Sequence, residues 1–573
     1  MKKMITALAL MLLATPFAQG ASVKAKISLT PKGTDDRTAE FLAAVDRVRK
    51  AGSGEIRLAP GFYHFRSPKS MSFYVSNHDN RLPRRVFLPI LGVTNLIVSC
   101  KGGKAEFIFH GDGLGIELQD TKNVTLRGIG VDWARPDFSE GRFVRFDEGG
   151  KAVISFDPAQ FPMRIDGGGH IVSVCEGKEM GQYILHAFDG KDRGYKGDAW
   201  FSCRVTDLGG GLYRFEEDWS RRFGRGGLQA GDIFVMRNAQ RDNPAVNLYR
   251  ARNTLFEDCV IRASSGMGFI AQRSENVIVR GTKKAEDATA GAFARPGNGR
   301  VMSLQADATH FSNCRGKIVV ENCLFEGMVD DAINVHSTCL QIESMKSPTE
   351  IRCRYKHGQS TGFEVFLPGE HLRGIHARTL EPTDATVVVK SATMVAHNLV
   401  DLTLAEPIPE DIKVGDAVEN ADWQPSVLFR NNIVRYSSPR ATLFTTPGRV
   451  ICEGNLFDHI AAQAVHLSAD AWDWYESGAC SDIVIRNNTF RECMLASGRG
   501  VIQIDPNVKD LNAQRRRYHR NVRVEDNVFE QTRGPLLFAR SVSNLVWKAN
   551  QVRGKGNGFD VQYCDDVKGI PGK

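Results

Sequence analysis

The chain has 573 residues, of which 24% are charged and 42% are hydrophobic, as is ordinary for a globular protein. Its formal net charge of +8 is mild for this length. Because no cluster of Lys and Arg is interleaved with aromatic residues, nucleic acid is not expected as a partner.

The first twenty residues have the pattern of a secretory signal peptide. Lys2 and Lys3 precede an apolar run, and Ala18 and Gly20 supply the small residues of a cleavage site. We expect cleavage after Gly20 and export to the periplasm or the medium. No later run is long and apolar enough to span a membrane. The twelve Cys match no zinc spacing, and we expect no cofactor and no metal.

The segment that starts at Gly33 predicts a helix that caps a stack of strands. Asp36 can cap a helix, apolar residues recur at helical spacing from Phe41 to Val48, and Gly52 ends the pattern. The next residues, EIRLAPGFYHF, read as strand, turn and strand. Such a cap is needed where the first coil of a stacked structure would otherwise expose an open edge.

One segment then returns many times: a turn residue, a short β-branched strand, Asn or Asp, and a second apolar strand. Examples are NVTLRGIGVDW, NTLFEDCVI, GKIVVENCLF, SVLFRNNIV, GRVICEGNLF and NVRVEDNVF. The intervals from Asn253 to Asn276, from Asn432 to Asn455 and from Asn521 to Asn544 are all 23 residues. A period in the twenties, with strands and no helices, is typical of a stacked coil.

The repeat predicts an all-β chain, a right-handed parallel β-helix in which recurrent Asn residues stack at the turns. Residues 134–245 and 338–425 lack the repeat but alternate as strands do, and both are too long to be loops. We interpret them as two inserted, barrel-like β domains that wall a cleft or mediate assembly, so a homo-oligomer remains open. The predicted divisions are 1–20 (signal peptide), 21–133 (cap and first coils), 134–245 (first insertion), 246–337 (coils with acids), 338–425 (second insertion) and 426–573 (C-terminal coils).

Three acidic residues mark the candidate site. Asp307 lies 23 residues before Asp330, so the period places these two on neighbouring strands with Cα atoms roughly 5 Å apart. Asp331 follows directly and can share the site only if the strand turns or bulges there. Crowded carboxylates require a partner, a proton or a metal. A solvated acidic turn and a calcium site are the alternatives to a catalytic role.

The catalytic interpretation is glycoside hydrolysis. This reaction needs one protonated carboxyl to donate to the leaving oxygen and one carboxylate to activate water or to attack carbon. Crowding supplies the required difference in pKa between the carboxyl groups, because like charges raise the pKa of one of them. The neighbouring polar and aromatic side chains are candidates for sugar binding, with coil structure or loop packing as the alternative for each. They are Gln305, His310, Asn334, His336, Trp472 and Trp474.

The trio Asp307, Asp330 and Asp331, the motif DDAINVHST, the double Asn of FRNNIV, the stretch SSPRATLFTTPGRVICEGNLF and the two insertions together resemble glycoside hydrolase family 110. The resemblance covers nearly the whole chain after residue 20. It implies an exo-acting α-1,3-galactosidase that releases terminal galactose, with inversion, from blood group B-type or linear glycans. It also implies Asp330 as the general acid and Asp307 with Asp331 as the bases on water.

Two other functions fit the same fold. A pectinolytic enzyme, either a polygalacturonase or a calcium-dependent lyase, would use the mild positive charge on an acidic sugar. The Gly-His-Gly and Arg-Ile-Lys elements of polygalacturonases are missing from the sequence. A non-catalytic carbohydrate-binding β-helix is the third possibility, and the carboxylate trio argues against it.

Overall fold

The computed structural model describes residues 23–79, 82–223, 227–238, 240–294 and 300–571. The predicted signal peptide, residues 1–20, lies outside these ranges. In the described part of the chain, three mainly parallel sheets wind around one long apolar core. The predicted parallel β-helix is therefore confirmed.

Each regular coil adds one short strand to each sheet. The strands of sheet 1, within the described ranges, are Ala25–Leu29, Gly54–Leu58, Thr94–Cys100, Lys122–Arg127, Arg252–Glu257, Glu275–Arg280, Arg315–Glu321, Ser426–Arg430, Val450–Glu453, Ile483–Arg486, His519–Glu525, Val542–Lys548 and Asp565–Lys568. Those of sheet 2 are Gly61–Phe65, Ala105–Phe109, Ile129–Trp133, Val260–Ile261, Gly291–Ala292, Leu324–Glu326, Ile433–Arg435, Leu456–Asp458, Thr489–Arg491, Val528–Glu530 and Gln551–Arg553.

Sheet 3 carries the face on which the acidic residues lie. Its strands are Lys69–Met71, Arg84–Leu91, Leu114–Gln119, Val246–Tyr249, Phe269–Gln272, Thr309–Ser312, Ile333–Thr338, Thr442–Phe444, Val465–Leu467, Ile502–Ile504, Leu537–Arg540 and Phe559–Gln562. The short strand Glu476–Ser477 pairs antiparallel with the end of Ile333–Thr338. Phe311, Ile333 and Val335 point into the core, which leaves the alternate residues of these strands on the outer face.

A single α-helix, Thr38–Ala51, caps the N-terminal end within the described residues. Asp36 accepts hydrogen bonds from the backbone nitrogen and the hydroxyl of Thr38, at 2.9 and 2.6 Å. Gly52 follows the helix with a φ of 76°, a left-handed conformation that glycine adopts at little cost. Gly52 ends the helix as predicted, whereas Arg37 holds the N-cap position and Asp36 bonds to Thr38 from one residue before it.

Stacked Asn side chains connect successive coils, as the repeat predicts. Asn123, Asn253 and Asn276 each donate to the Asn of the preceding coil, at 2.8–3.0 Å, and all have φ near 55°. A second ladder runs through Asn432, Asn455, Asn488, Asn527 and Asn550. These ladders satisfy buried amide groups and hold the coils in register.

The first interruption of the coils is an antiparallel sheet with its own apolar core. In sheet order its strands are Tyr195–Trp200, Ile184–Phe188, Ile233–Arg237, Ser139–Asp147, Lys151–Phe156, Leu212–Asp218 and Val205–Gly209. A smaller sheet beside it contains Met163–Ile165, Ile171–Cys175 and Lys178–Gly181. The order does not close on itself, so this insertion is an open sheet rather than a barrel.

The second interruption is a closed antiparallel barrel with a separate core. Its strands follow the order Leu340–Ser347, Glu350–Arg354, Leu399–Leu404, Pro382–Ala396, His371–Ile375 and Ala417–Asn420. The barrel begins directly after the strand Ile333–Thr338. The chain then returns to sheet 1, where Ser426 pairs with Lys317 of the coil that it left. Both insertions are β domains beside one continuous β-helix.

No helix in the described residues has the length and the apolar character that a membrane crossing requires. Cys259 and Cys323 carry free thiols and pack in or against the main core, as small apolar residues do.

Candidate active site

The acids lie in the turns that lead into two neighbouring strands of sheet 3. Thr309 pairs with Ile333 and Leu304 with Met328, an offset of 24 residues. This register places Asp307 against Asp331, whereas the 23-residue period predicts Asp330 as its neighbour. The prediction of direct stacking between Asp307 and Asp330 is therefore wrong, because this coil has 24 residues where the repeat has 23.

The turn also explains how two adjacent acids reach one site. Residues 330 and 331 lie outside the regular strand, which begins at Ile333, so their side chains need not alternate between faces. Oxygen atoms of Asp307, Asp330 and Asp331 all lie within 4.8 Å of one another. The side chain of Asp330 is 11% exposed, against 3% for Asp307 and 0% for Asp331. This burial excludes a solvated acidic turn.

Two arginines donate to the carboxylates. Nε and Nη2 of Arg440 reach the two oxygens of Asp331 at 2.8–3.1 Å. Nη2 of Arg241 donates to Asp330 at 2.5 Å. Burial opposes the charged form of both guanidiniums, but Asp331 raises the pKa of Arg440 and Asp330 that of Arg241 above the usual value. The site therefore holds three carboxyl groups and two fixed positive charges.

Three carboxylates this close are also within the spacing of a divalent-cation site. A calcium ion, however, takes about six to eight oxygen ligands and needs the negative charge for itself. Here the two guanidiniums already bind two of the carboxylates, and one proton on the trio would complete the neutralisation. The donor set fits acid–base chemistry better than calcium binding.

Burial governs the protonation of the trio. Burial, and then the charges of Asp330 and Asp331, raise the pKa of Asp307 well above its usual value. Burial raises the pKa of Asp331 to about 6, against the lowering effect of Arg440. These groups titrate as one coupled system. The trio therefore retains a proton at a pH where an exposed Asp has lost it.

A row of buried side chains leads away from Asp307. Nδ1 of His310 lies 2.6 Å from its Oδ2, and Nε2 of His310 lies 2.8 Å from Nε2 of His336. Nδ1 of His336 lies 3.1 Å from the Ser337 carbonyl oxygen. A carboxylate oxygen of Glu476 lies 3.4 Å from Nε2 of His336. Both ring nitrogens of each histidine are thus engaged within the protein.

Gln305 and Asn334 keep one acceptor each for an external group. Both are at least 96% buried, and the oxygens Oε1 of Gln305 and Oδ1 of Asn334 have no hydrogen-bond partner. The nitrogen of Gln305 donates to Asp137 of the first insertion. Burial, and then the charge of Asp242, raise the pKa of Asp137 to about 7. Both amide oxygens are buried, so each side chain must rotate before its oxygen can meet an external hydroxyl group.

A cavity of 480 Å³ lies between sheet 3 and the first insertion. Asp112, Asp242 and Ser265 line it from successive coils, and the strand register aligns these positions with Gln305 in the following coil. Asp137 lines it from the first insertion. The three acids lie outside its wall, and the link between them and the cavity is Gln305, which lies two residues before Asp307 and bonds to Asp137.

The structure separates the two tryptophans that a strand would place on one side. The segment bends around Asp470, whose carboxylate accepts from four consecutive backbone nitrogens, those of residues 472–475. Trp474 stacks on His357 at 3.9 Å and lies 5.6 Å from the Arg241 guanidinium. Trp472 is 41% exposed and donates to the Asn507 carbonyl oxygen, away from the trio.

Comparison with known proteins gives consistent results. Residues 350–418 match the family model described as GLAA-B beta-barrel domain II. Alpha-1,3-galactosidase B of Akkermansia muciniphila is 42% identical over 561 residues, which cover 96% of this chain and 67% of that protein. Alpha-1,3-galactosidase B of Phocaeicola vulgatus is 33% identical over 86% of this chain and 82% of its own length. The chain belongs to the α-1,3-galactosidase family.

Membership of this family, glycoside hydrolase family 110, confirms the resemblance seen in the sequence and makes the chain a glycoside hydrolase. Among solved structures, the exopolygalacturonase of Thermotoga maritima aligns over 96% of this chain and 92% of its own, at 12% identity and a TM-score of 0.38. That likeness is too low to inform function.

Three groups of this galactosidase-family site escape sequence analysis. Arg241 comes from the end of the first insertion, where no repeat position marks it. Glu476 comes from a two-residue strand that pairs with residues far away in sequence. Asp137 lies at the start of the first insertion. Arg440 is one of two arginines that flank TLFTTPG within the stretch SSPRATLFTTPGRVICEGNLF, and nothing in the sequence marks it as the partner of Asp331.

Proposed function

We propose that this chain is an exported, exo-acting α-1,3-galactosidase that releases terminal α-linked galactose, with inversion, from blood group B-type or linear glycans. The names of its relatives support the linkage. The observation that carries the proposal is the buried trio of carboxylates with two bound arginines. A cavity large enough for a sugar reaches Asp242, next in sequence to one of these arginines.

The cavity supports action at a chain end. It is bounded by three coils on one side and by the first insertion on the other, so it is closed on two sides. A galactosyl residue in this cavity would contact Asp242, the neighbour in sequence of Arg241, which binds Asp330. Gln305 would reach the hydroxyl groups of the sugar only after a rotation of the side chain, because its free oxygen is buried.

Asp330 serves as the proton donor in this proposal, and Asp307 with Asp331 as the bases. Asp330 has the most exposed of the three carboxyl groups, which suits the group that must reach a glycosidic oxygen. Arg440 binds both oxygens of Asp331, whereas Asp330 receives one hydrogen bond from Arg241. These bonds therefore favour the ionised form of Asp331 more than that of Asp330. Other inverting glycosidases hold the acid and the base far enough apart to leave room for the attacking water. Here two bases, Asp307 and Asp331, would activate one water close to the acid.

The proposed step conserves atoms and protons. The proton of Asp330 passes to the glycosidic oxygen while the bond from that oxygen to the anomeric carbon breaks. Water attacks the carbon from the opposite face, and its proton passes to Asp307 or Asp331. The products are β-galactose and the shortened glycan, and the trio has the same number of protons as before.

The test is a panel of substrates with the anomer followed by NMR. Purified protein is incubated with α-1,3-, α-1,4- and α-1,6-linked galactosides, branched and linear, and with polygalacturonate with and without a chelator. We expect galactose from the α-1,3-linked substrates alone, released first as the β-anomer. Initial release of the α-anomer would contradict inversion, and chelator-sensitive cleavage of polygalacturonate would favour the lyase alternative.

A further inference from the structure

A base must be ionised before it can accept a proton from water, and Asp307 is badly placed for this. Its side chain is 3% exposed and faces Asp330 and Asp331. Both the burial and these like charges favour its protonated form. The contacts of its other neighbour, His310, show where that proton can go.

The hydrogen bonds fix the tautomers of the row Asp307–His310–His336–Glu476. Nδ1 of His336 must carry a hydrogen, because its partner is the Ser337 carbonyl oxygen, which only accepts. The contact between the two Nε2 atoms needs one hydrogen, on either ring. If His310 carries it, its Nδ1 is an acceptor and Asp307 holds the proton. If His336 carries it, His310 donates from Nδ1 to an ionised Asp307.

The two arrangements differ by the net transfer of one proton from Asp307 to His336, during which two hydrogens each move across one hydrogen bond. In the first, Asp307 is neutral and so is His336. Asp307 then transfers its proton to Nδ1 of His310, which passes the hydrogen of its own Nε2 to His336. In the second, Asp307 is a carboxylate and His336 is an imidazolium 3.4 Å from the carboxylate of Glu476.

We propose that His336 and Glu476 are positioning residues that keep Asp307 ionised by taking up its proton as an imidazolium–carboxylate pair. This inference rests on the proposed role of Asp307 as a base. The strand Glu476–Ser477 pairs with Ser337 and Thr338. This pairing brings the carboxylate of Glu476 close to His336. Glu476 has a side chain 13% exposed, so it connects the buried row to solvent.

Glu476 is the negative group beside His336, and its charge also raises the pKa of Asp331. Loss of that charge therefore lowers the pKa of Asp331, so an upward shift of the acidic limb in Glu476→Gln can come only from Asp307. The positive or titratable groups that face Asp307 and His310 from other elements are Arg241, Arg440 and His78, and the negative groups are Asp330 and Asp331. His357 lies near Glu476 on the barrel side. Burial, and then His336, lower the pKa of His310 well below its usual value, so His310 transmits the proton and does not retain it.

The test compares the pH dependence of kcat/KM for wild type, Glu476→Gln and the control Asp473→Asn. Asp473 is exposed on the same segment, so its substitution removes an equal charge outside the row. An aryl α-galactoside is the substrate, because its good leaving group needs little protonation. The acidic limb of the pH profile of kcat/KM then reflects the ionisation of the bases. We expect Glu476→Gln to move that limb upwards by about one to two pH units, and Asp473→Asn to leave it in place.

The direction of this shift is set by the two arrangements. Without the Glu476 charge the proton returns to Asp307, which then ionises only at higher pH. Glu476→Asp keeps the charge and should restore most of the limb. In a His336→Asn background, Glu476→Gln should cause no further shift, because the two residues act through one proton. An even loss of rate at every pH, with the limb unmoved, would overturn the inference in favour of a structural role.

A second measurement does not depend on activity. Histidine side-chain ¹⁵N NMR of the full chain, with His336 assigned from its Asn variant, should show an imidazolium at neutral pH in wild type and a neutral ring in Glu476→Gln. A neutral His336 in wild type would refute the inference. Inactive wild type on every galactoside would refute the proposed function, and the NMR result would still decide the location of the proton.

Discussion

Arg440 occupies, one coil further along sheet 3, the position that Asp331 occupies in its own coil, and its Nε and Nη2 bind both oxygens of that carboxylate. Replacing Arg440 with Met removes the charge that holds the pKa of Asp331 down against burial. We expect the acidic limb of kcat/KM, near pH 6 in wild type, to move to higher pH.

The matched control for this variant is Arg449→Met. Arg449 flanks the same TLFTTPG stretch but has a side chain 57% exposed and pairs only weakly with Asp482, at 3.6 Å. Its pH profile should coincide with that of wild type. If kcat/KM of Arg440→Met falls equally at every pH and the midpoint of the acidic limb does not move, Arg440 does not set the ionisation of Asp331.

Replacing Asp330 with Asn keeps the shape of the proposed acid and removes its proton. Activity on an α-1,3-galactosyl disaccharide should fall by about 10²- to 10⁴-fold, the usual contribution of general acid–base assistance. An aryl galactoside should lose less, because its leaving group needs little protonation. Asp307→Asn and Asp331→Asn should impair both substrates alike. Near-normal turnover of the disaccharide by Asp330→Asn would disprove the acid assignment.

The two tryptophans of AWDWYESG should differ in importance. Trp474 supports Arg241, which binds Asp330, and a cation–π contact of about 0.5–2 kcal/mol corresponds to a loss of roughly two- to thirtyfold in kcat/KM for Trp474→Ala. Trp472→Ala should cause a smaller loss, because its indole donates to Asn507 away from the trio. Equal losses in steady-state assays would mean that both rings reach the substrate.

The buried Asn ladder gives a prediction on stability. Asn455 is 2% exposed, donates to Phe429 and Asn488, and accepts from Asn432. Its replacement by Ala leaves those groups unsatisfied, at about 1–3 kcal/mol for each buried polar group. Asn550→Ala, at the half-buried end of the ladder, should cost less. Thermal unfolding of the two variants, followed by circular dichroism, compares them directly, and equal melting temperatures would contradict the argument.

The period of 23 residues was sufficient to predict the β-helix, the stacked Asn residues and the convergence of three acids. The same period misplaced the acids by one residue. A turn can accept an extra residue without disturbing the strands on either side, and such a residue leaves no trace in the repeat. Hence Asp307 pairs with Asp331, and the neighbour of Asp330 in register is Ala306.

The rest of the site depends on contacts that no local pattern encodes. Arg241 and Asp137 reach the acids from the two ends of the first insertion, and Glu476 reaches His336 through an antiparallel pairing of only two residues. Trp472 and Trp474 diverge because Asp470 bends their segment, whereas residues two apart would share a side only in an extended strand. Sequence periodicity predicts only the positions that recur in every coil. Each of these side chains occurs once, so the repeat could not locate them.

After the barrel, the chain resumes beside the coil that it left, with Ser426 paired to Lys317 and Arg440 beside Asp331. The catalytic scaffold is thus assembled as though the intervening residues were absent. The alignment of Arg440 with Asp331 therefore depends on where the barrel leaves and rejoins the coils, and the number of residues in between does not affect it.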